Sequence, residues 1–269
     1  MILRYDPYKI FIDSKTPAGL YARQKWLNEA THQSWQQDYS TAVRTILADQ
    51  ASDGSWHQSP LETIKRLFGL HLTVRASSPE ISSALNWLLD KILFKPDEIE
   101  VTIEEDLAAD SLVGLPFMAG RWEHFLSAAV LFLAAIFGRG DDPKVLAIYR
   151  RMSDMGIKSE GRWVDQASFH NILRAMVVHP VFAKDKATTM AVNILADLQT
   201  DSGDWGRILP FYQTLNALAH LDLPQAEAQL EIAFRRLIES QNSDGTWSRS
   251  EPEWNTFLAI HALRNKGLL

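Results

Sequence analysis

The chain of 269 residues contains no cysteine. Disulfide bonds, thiolate nucleophiles and zinc sites with cysteine ligands are therefore excluded, and the redox compartment is left open. A basic excess is also lacking, because 33 acidic side chains outnumber 27 basic ones and the formal net charge is −6. Nucleic acid is thus not an expected partner, since its phosphates attract clusters of Lys and Arg.

Long apolar runs are missing as well. The longest one covers residues 128–137, about half of what a membrane-spanning helix needs. The N-terminus shows no basic segment followed by an apolar one, so the sequence predicts neither a signal peptide nor a membrane span. A cytoplasmic location is the default expectation, while peripheral contact with a membrane and the oligomeric state are left open.

Common catalytic motifs are absent too. The chain has no phosphate-binding or dinucleotide-binding glycine pattern, no Gly-x-Ser-x-Gly and no His-Glu-x-x-His. Hydrolase, NTPase and Rossmann functions therefore have no support in the sequence, and neither a metal site nor a cofactor is predicted.

What the chain does contain is a ladder of five tryptophans, each two residues after a glycine, which we call rungs. The last four recur at steps of 41, 42 and 42 residues, and the first lies 66 residues before the second. A fixed period near forty residues indicates one supersecondary unit used repeatedly. The rungs are Trp56, Trp122, Trp163, Trp205 and Trp247.

Each repeat divides into two helical segments. The segment after a rung is apolar, whereas the segment before the next rung carries more charge. Such a pair places the first helix inside and the second outside. The sequence therefore predicts an all-α fold, an α/α toroid with five to six inner helices ringed by outer helices. Inner helices are expected over 61–74, 123–137, 165–178, 208–221 and 253–263, with a sixth over 19–30.

The repeats also predict the domain organisation. A repeat array grows by stacking, so we expect one domain over 1–269, with 1–37 as an N-terminal segment. About 24 residues beyond one repeat separate the first two rungs, and they form an insertion at 94–120. Insertions in repeat arrays often lie on the binding face. An acidic surface loop is the alternative.

The rung residues are typical of a turn from an outer to an inner helix. Asp-Gly supplies a side chain that bonds its own backbone, then a residue that accepts positive φ. Gln50, Gln199 and Gln241, each six residues before a rung, are expected to bond near their own tryptophan and at a neighbouring helix end. The motifs thus predict a structural role, with all five rungs at one end of a closed ring.

The Gln-x-x-Asp-Gly-x-Trp signature resembles the QW repeat of the squalene-hopene and oxidosqualene cyclases, and of the wider prenyltransferase-like α/α-toroid group. The resemblance covers about residues 38–269 and is strong at 50–56, 199–205 and 241–247. It implies a terpene cyclase-like protein that binds an isoprenoid in the toroid cavity. Some related toroids have a zinc site or a thioester that requires a cysteine, and such a site cannot be present in this chain.

The resemblance stops at the acid motif. Those cyclases carry Asp-x-Asp-Asp-Thr at the start of an inner helix, where the middle Asp protonates the substrate. Here the matching positions 59–63, 210–214 and 252–256 contain no middle Asp. Two functions therefore remain: a proton-initiated isoprenoid cyclase, an isomerase or lyase, or a non-catalytic toroid that binds a protein partner or a lipid.

A proton donor for an alkene requires a carboxylic acid in a dry pocket. The candidates are Glu62, Asp165 and Glu253, which lie at the starts of predicted inner helices. At least one of them would have to be buried against an aromatic wall with a raised pKa. Helix capping is the alternative role for each.

Ligand contacts are expected from rings near the same helix starts. Ring faces attract cations, although large aromatic side chains also fill cores. The candidates are Trp122, His124, Phe125, Phe169, His170, Phe211, Tyr212 and Trp254.

Overall fold

A computed structural model describes residues 3–94 and 108–269. Within these ranges the chain forms eleven α-helices and no β-strand, so the predicted all-α class is confirmed. The helices are α1 Pro17–Lys25, α2 Gln33–Leu47, α3 Pro60–Thr73, α4 Pro79–Leu88, α5 Trp122–Ile136, α6 Pro143–Lys158, α7 Gln166–Val177, α8 Lys186–Leu198, α9 Phe211–Leu218, α10 Pro224–Glu239 and α11 Pro252–Asn265.

Local sequence explains where many of these helices begin. Four of them start with a proline directly after a Ser, Thr or Asp whose side chain accepts a backbone N–H of the first turn. The cap satisfies a donor that the helix leaves free, and proline occupies a position where no N–H is needed. The caps are Thr16, Ser59, Ser78 and Asp142.

The chain packs into two compact units. The larger unit comprises Met1–Arg4, Val101–Gln241 and Leu258–Leu269, and the smaller unit comprises Tyr5–Glu100 and Asn242–Phe257. In the larger unit α5, α7 and α9 pack in one row and α6, α8 and α10 in a second. In the smaller unit α1, α2 and α4 all pack against α3. The single domain over 1–269 stays a prediction.

Burial separates the two rows of the larger unit. Every residue of α7 from Ala167 to Val177 is buried, as an inner helix requires. Helix α6 buries only Val145, Tyr149, Ser153 and Gly156, which lie on one face of the helix. The Tyr149 hydroxyl lies 2.9 Å from the Leu131 carbonyl oxygen of α5 and 3.2 Å from that of Ala175 in α7, so this face joins both rows.

The predicted inner segments coincide with helices, with two differences. The segment 208–221 becomes a helix only at Phe211, because Pro210 is its N-cap. The sixth segment, 19–30, forms α1 and then breaks before a 3-10 helix at Glu29–Thr31, where Asn28 has a left-handed φ. In the predicted insertion, residues 95–107 lie outside the described residues, and 108–120 contain a 3-10 helix at Ala109–Leu112.

The rung turns pack against an outer helix further along the chain. A Cβ on Gly54, Gly161 or Gly203 would lie within 3 Å of the backbone of the residue 29 positions later. Gln50 contacts the same outer helix 30 residues later, because its amide donates to the Gly54 carbonyl in its own turn and to the Glu80 carbonyl in α4. The expected position of Gln50 is thus confirmed.

The other two glutamines make corresponding contacts. Gln199 donates to the carbonyls of Gly203 and Gln229, the latter in α10. Gln241 accepts the Arg4 backbone N–H at 3.1 Å, so at the last rung the N-terminal segment supplies the partner that an outer helix supplies elsewhere.

Four of the five rung tryptophans are buried, and Trp122 is the exception. The indole N–H of Trp56 donates to the Ala48 carbonyl, and that of Trp163 to the Met152 carbonyl. Each bond fixes the ring against the preceding outer helix. The Trp122 rung lacks the glutamine, and its Gly120 has no positive φ. The position of all five rungs at one end of one ring stays a prediction.

Candidate functional site

Glu62 holds an arginine in place at the start of α3. Its carboxylate accepts the Arg66 Nε–H at 2.7 Å, and 33% of the Glu62 side chain is exposed. Arg66 in turn donates to the carbonyls of Thr45 and Ile46 at the end of α2. The carboxylate therefore orients a cation that satisfies the last carbonyl groups of the neighbouring helix.

Glu253, in the first turn of α11, accepts hydrogen bonds from two hydroxyl groups. The donors are Ser14, at 2.8 Å, and Thr16, the N-cap of α1. The Glu253 side chain is half-buried. This carboxylate thus connects the starts of α1 and α11 within the smaller unit.

Asp165 is the N-cap of α7. Its carboxylate accepts the Ser168 backbone N–H and the Ser168 hydroxyl, both at 2.8 Å. Partial desolvation raises its pKa, but the hydrogen bonds from Ser168 and the nearby His124 outweigh this and hold the pKa of Asp165 below its ordinary value. Asp165 is therefore an ionised cap at neutral pH.

The condition for a proton donor is not met at the three predicted carboxyl groups. Asp165 has a lowered pKa where a raised one was expected, and neither Glu62 nor Glu253 is buried. Each of the three lies at a helix start and accepts hydrogen bonds from its own or a neighbouring element. Thr63 and Thr256 end the segments 59–63 and 252–256, which align with the acid motif of the cyclases. Their hydroxyl groups accept the backbone N–H of Trp56 and Trp247 respectively, so both threonines have structural contacts.

His124 is brought to Asp165 through a serine. The His124 Nδ1 lies 2.6 Å from the Ser168 hydroxyl and 3.7 Å from the Asp165 carboxylate. The serine stands between the imidazole and the carboxylate and donates its proton to the carboxylate, so it is not a nucleophile activated by the histidine. The cluster joins the first turns of α5 and α7.

Most predicted ring contacts of the larger unit lie beside their own rung. Phe125 and Phe169 are buried, with ring centroids about 6 Å from those of Trp122 and Trp163 respectively. Phe211 lies 6.0 Å from Trp205 and contacts Tyr212 edge to face, and burial raises the pKa of Tyr212. These rings anchor inner helix starts, as core packing requires.

The smaller unit contains an aromatic cluster that the sequence only partly indicated. Trp254 stacks on Phe257 at 5.4 Å, and Phe257 stacks on Trp26 at 5.2 Å. Phe68 meets Trp254 edge to face at 6.0 Å. We call Trp26, Phe68, Trp254 and Phe257 the aromatic stack. Of these, the sequence predicted only Trp254, because it lies in the first turn of an inner helix. Phe68 and Phe257 lie further along their helices, and Trp26 follows the end of α1.

The Trp254 indole is unusual in this stack. It is 6% exposed, and its N–H has no hydrogen-bond partner among the described residues. A buried donor without a partner is costly, which makes it a candidate for ligand contact. Trp26, at the other end of the stack, is only half-buried, so the row of rings reaches from the interior towards the surface of the unit.

His170 lies inside α7 rather than at its mouth. It is 2% exposed, and burial lowers its pKa to about 4. One turn later lies Arg174, which is 4% exposed and was not predicted from the sequence. The sequence signal for Arg174 is its place four residues after a histidine, within an inner helix that is otherwise mainly apolar.

Two further observations concern the described residues alone. The described residues hold no group of three or more His, Asp or Glu arranged to bind a metal ion. No helix within 3–94 and 108–269 is both long and apolar enough to cross a bilayer.

The solved structures similar to this chain indicate its fold. The type II terpene cyclase MstE from Scytonema, in its apo form, matches with a TM-score of 0.58 at 14% identity, over 95% of this chain and 89% of that chain. A protein from Actinoplanes matches with a TM-score of 0.56 at 16% identity, over 96% of this chain and 90% of that one.

Sequence comparison finds no such likeness. No protein-family model and no curated protein sequence matches the chain. At 14–16% identity the structural matches show the fold alone, and they confirm the predicted α/α fold class. Membership of the QW-repeat family stays a prediction.

Proposed function

We propose that this protein binds an isoprenoid or a similar unsaturated apolar chain, in a fold of the type II terpene cyclase kind. The observation that carries the proposal is the aromatic stack of the smaller unit. Its aromatic rings suit the π-bonds and methyl groups of a prenyl chain. The buried Trp254 N–H, which has no hydrogen-bond partner among the described residues, suits a single oxygen on that chain.

Chain length agrees with this proposal. The triterpene cyclases of the resemblance contain two toroids, and this chain has room for one. The match to MstE nevertheless spans 89% of that chain, so a type II terpene cyclase fold fits within a chain of this size.

A second candidate function is proton-initiated cyclisation. It is favoured by the structural match to a type II terpene cyclase. The carboxyl groups of Glu62, Asp165 and Glu253 give it no buried acid, as described above. We therefore propose binding as the primary function and cyclisation as the alternative, alongside binding of a protein partner or lipid by a non-catalytic toroid.

Binding is tested with farnesol and with farnesene, its hydrocarbon analogue, by quenching of tryptophan fluorescence. The wild-type protein should bind both. Trp254→Phe keeps a ring and removes the N–H, so it should weaken farnesol binding about fivefold, the effect of one neutral hydrogen bond, and leave farnesene binding unchanged. Trp87→Phe, which alters a buried tryptophan of α4 outside the stack, is the matched control and should change neither. A wild-type protein that binds neither ligand contradicts the proposal.

Cyclisation is tested by incubation with prenyl substrates and analysis of the extracted products by mass spectrometry. We expect the substrate to be recovered unchanged. A cyclic product would replace the binding proposal with the enzymatic alternative, and Glu62→Gln, Asp165→Asn and Glu253→Gln would then identify the donor.

A further inference from the structure

The inner helix α7 carries a buried positive charge that no described acidic side chain balances. Arg174, in the last turn of the helix, is 4% exposed. Among the side chains that the structure describes, none is a hydrogen-bond partner of its Nε or of one terminal nitrogen, and no carboxylate forms an ion pair with it. Burial lowers its pKa to about 9, so the guanidinium is still protonated at neutral pH.

The surroundings compensate this charge only weakly. The guanidinium lies over the Phe132 ring, 5.6 Å from its centroid, and it is near the C-terminal end of α7, where the helix dipole favours cations. Neither contact replaces the hydration that a buried guanidinium gives up. An arginine held in this state without an anion destabilises the fold, so its presence calls for a function.

His170 offers a second unpartnered group on the same face of α7, one turn before Arg174. The Asn171 amide oxygen accepts the Met118 backbone N–H at 2.7 Å, and its amide nitrogen donates to the Met118 carbonyl. The amide oxygen is thereby identified, so the His170 Nδ1, 3.4 Å from it, must carry the proton. The Nε2 of the neutral imidazole is then an acceptor, and it has no partner.

We propose that Arg174 and His170 form a buried binding site for an amphiphilic oxyanion within the larger unit. The guanidinium takes a charged oxygen, and the His170 Nε2 accepts a hydrogen bond from a protonated oxygen of the same group. The monoanion of a phosphate monoester presents both kinds of oxygen. The other residues of α7 near these two are mainly apolar, which suits a ligand whose anion is attached to a hydrocarbon body.

This site is separate from the aromatic stack and goes beyond the proposed function. It requires no prenyl chain, and the two proposals have different ligands and different variants. A wild-type protein that binds neither farnesol nor farnesene would contradict the first proposal and leave this one standing.

The test measures binding of dodecyl phosphate, laurate and dodecanol by titration calorimetry. We expect dodecyl phosphate to bind more tightly than dodecanol. Arg174→Met should weaken dodecyl phosphate binding about tenfold to a hundredfold, as the loss of a charged hydrogen bond does, whereas Arg174→Lys should retain part of it. Arg235→Gln removes the same charge from a side chain that is 66% exposed and should have no effect.

Two further measurements separate binding from a structural role. Arg174→Met should not lower the melting temperature of the ligand-free protein, because it removes an unpaired buried charge. His170→Asn keeps a donor near the Nδ1 position and loses the Nε2 acceptor, so it should weaken dodecyl phosphate more than laurate. Laurate binding as tight as dodecyl phosphate, with the same dependence on Arg174, would assign the site to carboxylates.

Three outcomes would overturn the proposal. One is a wild-type protein that binds neither dodecyl phosphate nor laurate better than dodecanol. Another is unchanged anion binding in Arg174→Met. The third is a large drop in the melting temperature of ligand-free Arg174→Met that Arg174→Lys does not show, because a structural arginine would produce it and an unpaired buried charge would not.

Discussion

At the scale of single residues, the rung turns require glycine for two reasons: a positive φ, and a close approach to a neighbouring helix that leaves no room for a Cβ. Gly203 has φ +87°, and a Cβ there would lie 2.8 Å from the Ile232 carbonyl oxygen. Gly206, in the same turn, has φ +66° and open space around it. The first glycine is needed both for its backbone conformation and for close approach to α10, whereas the second is needed for conformation alone.

Alanine at these two positions should separate the two demands. We expect Gly206→Ala to lower the free energy of unfolding by about 1 kcal/mol, the cost of a left-handed alanine. Gly203→Ala should cost about 3 kcal/mol, because overpacking against the helix backbone adds to that strain. Chemical denaturation measures both, and equal effects would show that the rung turn does not pack tightly on α10.

His170 gives a residue-scale prediction on pH. Its pKa is about 4 in the folded protein and about 6.5 in an unfolded chain. Between these two pKa values the unfolded state binds a proton that the folded state does not. The contribution of His170 to the free energy of unfolding is therefore complete above pH 6.5 and is lost as the pH falls towards 4. The loss is about 3 kcal/mol in total.

The acid-side loss attributable to His170 is measured by comparison with a variant. The free energy of unfolding, measured by denaturation at a series of pH values from 7 to 4, should fall more steeply for the wild-type protein than for His170→Asn, which has no imidazole at this position. Other groups titrate in both proteins, so the difference between the curves isolates His170. Parallel curves would mean that His170 is hydrated or protonated in the fold.

At the scale of secondary-structure elements, carboxylates at helix starts bond groups of their own or a neighbouring helix. Glu62 acts through Arg66 on the end of α2, Glu253 bonds the N-cap of α1, and Asp165 caps α7 itself. Their positions at the first turns were predicted from sequence. Each meets donors from its own or an adjacent element, as the capping alternative requires, and the role of proton donor stays a prediction.

Asp165 tests this interpretation at the level of the element. Asp165→Ala removes the N-cap of α7 and the link from Ser168 towards His124, and should lower the free energy of unfolding by about 1–2 kcal/mol. Asp165→Asn keeps an oxygen for the Ser168 N–H and should cost less. Thermal denaturation compares the two variants, and an Asp165→Ala protein as stable as the wild type would refute the capping role.

At the scale of the whole molecule, much of the architecture was predictable from local sequence. The period near forty residues and the apolar segments after the rungs predicted helices close to where the structure has them. The N-terminal segment was harder, since its contact with the last rung, through Arg4 and Gln241, joins residues 237 positions apart and leaves no trace in the period.

The sequence by itself thus determined the elements, because helix periodicity, caps and turn residues act over a few neighbouring positions. Tertiary structure decided the chemistry of the candidate sites. Whether a carboxyl is an acid or a cap, and whether Arg174 meets an anion or a ring, depends on burial and on partners from other helices. Those partners come from distant parts of the chain, and burial changes the free energy of a charge far more than local sequence does.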